Sequence, residues 1–352
     1  MATYKLTTYF IPTTMDLTTH IYTSRDELPE KLIEGNLFHG RRLFGISRLT
    51  PRHRPYMVTV EDEEGTVHAQ LLAMLRYRST WLPPYFYMHC RVFGEGVYLP
   101  QYNSTNAHSE AKEELFSMML KALTKRLGNR VLYMEVSNLS HKMFGYKAFR
   151  ESHFFPVRWM NIHNSLHSRA PEERISERMK KHLSNAQAKG VTVSEVSDEA
   201  TFRAFMKLLR KHNFLKPKRY LPPNEFFRQF MQQEAIDGEP CGRLFVTRYK
   251  HYVIGCAAVA YSGREAYLWY SAFRRKSFAL LHPDEVTIWN ILKNAHTRGY
   301  NHLSFMDVGL PFRKNSFREF ILRFGGKPTS TYRWFRCSIR WINNALSWFY
   351  RD

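Results

Sequence analysis

Leu303-Ser304-Phe305-Met306-Asp307-Val308 is a short run of strand-forming residues that closes on an acid. It follows a helical stretch, residues 283–298, that Gly299 stops. Val131-Leu132-Tyr133-Met134-Glu135-Val136 stands in the same relation to residues 109–127 and Gly128. In the earlier helix Ser109 is placed to cap. Glu110, Glu113 and Glu114 lie early and Lys121, Lys125 and Arg126 late, as the macrodipole favours. Leu115, Met118, Met119, Ala122 and Leu127 give it one apolar stripe. In the later helix Pro283 fits the first position and Asp284 and Glu285 follow. Val286, Trp289, Leu292 and Ala295 share a face.

Outward from these strands the order repeats. Before each helix a hairpin is expected. One spans residues 56–75 around Glu61-Asp62-Glu63-Glu64-Gly65. The other spans 244–270, with arms at 244–246, 252–261 and 266–270 and Ser262-Gly263 between the last two. After each acid-ended strand comes an amphipathic helix, 143–152 and 316–323, then an aromatic and another strand, 157–162 and 329–337. Hairpin, helix, strand, helix, strand therefore occurs twice at a spacing of about 170 residues, too long for a solenoid repeat. The expected fold class is α/β (α+β), with two tandem domains, 1–170 and 171–352. Each is a mixed, mostly antiparallel sheet flanked by helices. The two copies are expected to form two sheets, each with its acid-ended strand central. A linking helix is expected over 171–190 and another over 198–212, the latter followed by a proline-stiffened loop, and an aromatic, basic tail occupies 338–352.

The chain has 352 residues and is 44% hydrophobic, enough for a sizeable core. Its 52 basic and 31 acidic residues give a net charge of +21, which implies anionic partners such as nucleic acid, phosphorylated substrates or an anionic membrane face. Cys90, Cys241, Cys256 and Cys337 form no CxxC pair, which fits a reduced, cytoplasmic protein. Residues 1–20 lack a basic stretch followed by an apolar core, and runs such as 253–261 fall far short of the ~20 residues that span a bilayer. There is no P-loop, GxGxxG, GxSxG or HExxH. His163 and His167 lie near the end of an expected strand and are not read as metal ligands. No metal and no tightly bound cofactor are expected.

Several stretches together resemble the C-terminal half of FemABX-type proteins of the GNAT acyltransferase superfamily. They are Trp289 with residues 295–299, Phe305-Met306-Asp307-Val308-Gly309, the segment from Phe320 through Phe324-Gly325-Gly326-Lys327-Pro328, and Ala186-Gln187-Ala188-Lys189-Gly190-Val191. The resemblance implies tandem GNAT domains that transfer an acyl or aminoacyl group to an amine. The co-substrate would be acyl-CoA or another acyl thioester, or aminoacyl-tRNA, and the acceptor a cell-envelope precursor. Ile321, Arg323, Ser184 and Asn185 depart from residues common in that family. The pyrophosphate loop of CoA-using members is replaced by Arg274-Arg275-Lys276-Ser277-Phe278.

Such a transfer needs a neutral amine, hydrogen-bond donors for the oxyanion and close positioning, and it needs neither triad nor metal. Asp307 is the catalytic candidate, able to orient an acceptor ammonium or relay its proton. Glu135, its counterpart, is expected to be structural. Arg274, Arg275 and Lys276 are placed to receive donor phosphates before a helix N-terminus. Tyr270, Arg313 and Lys314 are further substrate-binding candidates, and Tyr267 and Trp269 are expected on the sheet face opposite Tyr270. Arg210, Lys211 and Lys218 belong to a basic run, residues 202–219, that contains no acid and suits an anionic donor. The tail, with Trp341, Trp348 and Phe349, either packs back as a helix or lies in a membrane interface, where it would suit a lipid-linked acceptor. The localisation expected is cytoplasmic, with peripheral contact at the inner membrane face. The competing expectation is a non-catalytic GNAT scaffold that holds RNA or an anionic membrane surface.

Overall fold

The computed structural model describes residues 16–79, 83–103, 107–139, 142–213, 220–232, 241–306 and 308–350, with side chains in the helix that starts at 107 described from 110 onward. The first half runs β1 (Thr18–Tyr22), α1 (Arg41–Leu49), β2 (His53–Glu61), β3 (Val67–Ser79), β4 (Phe86–Phe93), β5 (Val97–Tyr98), α2 (Ala107–Leu127), β6 (Tyr133–Ser137), α3 (Tyr146–Glu151) and β7 (Phe155–Ser165). The second runs α4 (Glu177–Ala188), β8 (Val191–Glu195), α5 (Glu199–Asn213), α6 (Asn224–Gln232), β9 (Gly242–Tyr249), β10 (Tyr252–Ser262), β11 (Glu265–Phe273), α7 (Pro283–Thr297), β12 (His302–Phe305), α8 (Ser316–Leu322), β13 (Lys327–Cys337) and α9 (Arg340–Phe349).

The duplicated order is present, and each half is a mixed, mostly antiparallel array flanked by helices. The expectation of two sheets is corrected. The strands form one 13-stranded sheet in the order β1-β2-β3-β4-β6-β13-β7-β12-β11-β10-β9-β8, with β5 beside β3. The reason is an exchange of last strands. β13, from the second half, pairs with β6 of the first, and β7, from the first, pairs with β12 of the second. β7 and β13 then pair with each other from Lys327↔His163 to Phe335↔Phe155, so the two arrays fuse at this seam. The exchanged strands carry core residues with them. Trp334 of β13 is fully buried in the first half's core, stacked on Phe149 at 4.4 Å, and Ile162 of β7 is buried in the second half's core. The two parallel pairs, β4/β6 and β11/β12, are each joined through a helix, α2 or α7, as parallel neighbours require.

The helices form for the expected reasons, with one correction: α2 begins at Ala107, so Ser109 lies inside the helix and not at its cap position. α2 buries Leu115, Phe116, Met119, Leu120, Leu123 and Leu127 against the sheet. α7 buries Val286, Ile288, Ile291, Leu292 and Ala295. On the other face a single core bridges both halves, where Met57, Met74 and Phe93 of the first meet Leu244, Cys256 and Trp269 of the second under α1, α5 and α6. This bridging face is the inner face of the molecule, and α2 and α7 cover the outer one.

Candidate functional site

Each parallel pair is short. β4 and β6 are in register from His89↔Tyr133 to Phe93↔Ser137, and β11 and β12 from Glu265↔His302 to Leu268↔Phe305. Beyond these pairs the strands diverge. In the second half the cause is a bulge: Val259 pairs with Leu268 and Ala258 with Tyr270, so Trp269 is the extra residue. The bulge also overturns the expected alternation. Trp269 and Tyr270 lie in the same inner core, 6.0 Å apart, and Tyr270 meets Phe227 of α6 at 5.3 Å. Tyr270, expected to bind substrate, is thus a buried wall behind the divergence, only 5% exposed.

Beside the divergence, at the seam, lies a cavity of about 270 Å³ lined by residues of both halves, among them Leu139, His163, Tyr267, Ser304, Met306 and Thr331. Glu265 and His302 stand at its rim, set opposite each other by the parallel register. His302 Nδ1–H donates to Glu265 Oε1 at 2.8 Å, which fixes the ring and leaves Nε2 as the basic nitrogen. His163 lies edge-on to His302 at 5.4 Å, and burial, with His302 next, lowers its pKa from the ordinary value. Arg333 donates to the Met306 carbonyl at 2.9 Å and so holds the end of β12. Glu265, His302 and His163 form a base-and-orienter arrangement that the sequence reading missed. No motif joins residues 37 and 139 positions apart; only the strand register brings them together.

Asp307 lies outside the described residues, between Met306, which lines the cavity, and Val308. Lys218 also lies outside them. Glu135 accepts from Arg91 and from Arg333 (3.3 Å) in a half-buried ion pair, the structural place expected of it. Arg313 and Lys314 are exposed in the loop before α8.

Arg274, Arg275 and Lys276 precede α7 as expected, but the helix N-terminus is already served. Asp284 and Glu285 are buried in its first turn, where carboxylates offset the dipole. Arg275 pairs with Asp284 at 2.6 Å, and Arg323 with Glu285 at 3.2 Å. Arg274 lies over Phe278 at 5.1 Å. His182 Nδ1–H donates to Glu285 at 2.8 Å, and its ring stacks on His282 at 3.9 Å. His182, His282 and Glu285 bring three ligand-type atoms within 4.8 Å of one another. Arg178, Arg275 and Arg323 line the same small cavity, so a cation there would meet three guanidinium groups.

The described part of the basic run, residues 202–213, lies on α5, on the inner face, whereas residues 274–276 lead into α7 on the outer one, so the described residues do not join these two clusters. Arg203, Lys207, Arg210 and Lys211 project outward from α5. The acid absent from the run comes from Glu199, three positions before it, which pairs with Arg203 at 3.3 Å and Arg228 at 2.5 Å. Arg210 donates to Asn224 at 2.7 Å and ties α5 to α6. The tail forms α9, held through Asn343, which accepts from Cys337 N and donates to His153 O. Trp341, Trp348 and Phe349 point outward, each over 70% exposed. No helix among the described residues is long and apolar enough to cross a membrane.

Comparison with known proteins places this geometry. Residues 173–314 match the family model described as an acetyltransferase (GNAT) domain. The chain is similar in fold to the crystal structure of FemX, with 12% identity and a TM-score of 0.58, covering 90% of this chain and 94% of that one. It is similar to the C-terminal domain of a putative lysylphosphatidylglycerol synthetase from Agrobacterium fabrum, at 11% identity and TM-score 0.54, covering 86% and 88%. It is also similar to a tandem GNAT protein from the clavulanic acid biosynthesis pathway, at 9% identity and TM-score 0.51, covering 92% and 99%. No curated protein matches the sequence.

Proposed function

We propose that this FemABX-like member of the GNAT superfamily transfers an aminoacyl group from aminoacyl-tRNA to an amine, in the seam cavity beside the β11–β12 divergence. The observation that carries the reading is that this cavity is lined by both halves and opens on the inner face, the face that bears the exposed basic residues of α5. A polyanionic donor lying along α5 can present its ester end to the cavity. A CoA thioester, by contrast, would bring its diphosphate to the α7 N-terminus, against two buried carboxylates. In this reading Asp307 orients the acceptor ammonium, and the His302–Glu265 pair takes a proton from the amine as it attacks, directly or through a water, and returns it to the tRNA 3′-oxygen as the amide forms and the ester bond breaks. The outward aromatics of α9 favour an acceptor held at a membrane surface, such as a lipid-linked envelope precursor. An acyl-CoA donor is the second reading, supported by the three arginines at the α7 cavity. Incubating the protein with an aminoacyl-tRNA pool or with acyl-CoAs, each with a generic amine, and following the products by mass spectrometry separates the two. Transfer from tRNA alone is expected. Transfer from CoA alone would overturn the donor assignment, and transfer from neither would overturn the reading.

A further inference from the structure

The inner face of the first half carries a second arrangement, which owes nothing to the transfer reading. His53, Arg76 and His89 stand directly opposite one another on β2, β3 and β4, in one row across the sheet. All three are buried, at 6%, 3% and 2% exposure. Arg76 lies over the ring of Tyr220 at 4.7 Å, and no acid pairs with it among the described residues. Among the described residues its Nε and Nη2 are buried without a hydrogen-bond partner, as are Nδ1 of His53 and Nδ1 of His89. His53 Nε2 is hydrogen-bonded to the Tyr220 hydroxyl, which leaves Nδ1 as the ring nitrogen without a partner among the described residues. Burial first, and Arg76 next, hold His53 down to about 3 and His89 to about 2, so neither ring competes as a cation. The nearest acid along β6, Glu135, is engaged by Arg91 and Arg333.

A buried guanidinium with unused donors and no counter-charge is expensive to maintain, and an anion removes that cost. His53 also belongs to the wall of the neighbouring cavity of about 620 Å³, whose other walls include Arg52, Arg54, Arg78, Tyr77, Phe86 and Tyr87. That cavity is basic and aromatic together, and it touches the row at His53.

We propose that the row His53–Arg76–His89 is an anion site for the phosphate of a phosphate ester, whose apolar or aromatic body lies in the cavity walled by Tyr77, Phe86 and Tyr87. Arg76 supplies the forked donors that match a phosphate, and Arg78 and Arg54 line the approach. The phosphate ester is a soluble molecule or a phospholipid headgroup, and the test has an arm for each.

Calorimetric titration with inorganic phosphate and with phenyl phosphate, and sedimentation with phosphatidylcholine vesicles with or without phosphatidylglycerol, are run on the wild type and Arg76→Met. One-site binding of phenyl phosphate, tighter than inorganic phosphate and weakened about ten- to a hundredfold by Arg76→Met, is expected if the source is soluble. Sedimentation that depends on phosphatidylglycerol and is lost in Arg76→Met is expected if the source is a lipid. Should Arg76→Met not fold, His89→Gln must show the same loss. Absence of binding by every probe, or binding that both variants leave unchanged, overturns the proposal.

Discussion

The two halves carry the same divergence between parallel strands and treat it differently. In the first half β4 leaves β6 through Gly94-Glu95-Gly96, with φ of 92° and 93° at the glycines, a left-handed turn that side-chain-bearing residues resist. Glu95 is buried, and its carboxylate accepts from the Leu139 amide at 2.9 Å. His39 packs in beside it, with Nε2 3.1 Å from the Gly96 amide. The gap is bridged. In the second half the bulge at Trp269 turns its ring into the core, and the strands part beside a cavity shared by both halves. A duplicated scaffold thus keeps its shape twice, with the first divergence bridged and the second standing beside a cavity. The first half fills its own divergence and leaves its unpaired charge elsewhere, in the row around Arg76.

The largest expected effect breaks the equivalence of the halves at the seam. Trp334 comes from the second half yet completes the first half's core, so Trp334→Ala should destabilise the whole protein by about 3–5 kcal/mol. Urea unfolding should remain one transition, since the sheet is continuous. Two separate transitions, with only the second half weakened, would contradict the exchange.

The next effect is a pH dependence that belongs to the first half. His39, His53 and His89 sit there, and burial holds them neutral down to about 3, about 3 and about 2, against an ordinary value of 6.5. Between pH 6.5 and about 3 the unfolded chain takes up protons that the folded chain refuses. Stability should therefore fall as pH falls through that window and level off below it. Denaturant midpoints measured across it check this, and His89→Phe should flatten the slope. A midpoint indifferent to pH would mean that these rings are not held neutral.

The smallest expected effect lies outside both cores. Trp341→Ser with Trp348→Ser touches only the outward side of α9, so the unfolding free energy should move by less than about 0.5 kcal/mol. Binding to anionic vesicles should fall if α9 is the membrane contact. Vesicle binding unchanged by the pair would assign that contact to another surface.

Much of this comparison is legible in the sequence. Charge order, apolar stripes and the glycine stops announce α2 and α7, and the acid-ended strands announce the duplication, because these signals are local. The strand exchange is not legible. β7 and β13 follow α3 and α8 in the same order, and nothing in either strand says whether it joins β6 or β12. Trp269 and Tyr270 are misread by simple alternation because a bulge adds a residue without marking itself. The His302–Glu265 pair is hidden for the same reason as the exchange: the register of non-local strands, rather than any spacing, makes it. The acid that answers the basic run, Glu199, sits just outside the window in which the run looked unopposed.

The central claim is that the reaction belongs to the second half's divergence and that the first half's counterpart is structural. Transfer rate and thermal midpoint measured together on Asp307→Asn, His302→Gln and Glu135→Gln test it most directly. The account predicts that the two second-half variants lose roughly 10²–10⁴-fold in turnover with midpoints close to wild type. Glu135→Gln should lose stability, because it breaks the pairing with Arg91 and Arg333, while its folded fraction keeps turnover within about threefold. Full activity in both second-half variants, or a collapse of turnover in a folded Glu135→Gln, would contradict it.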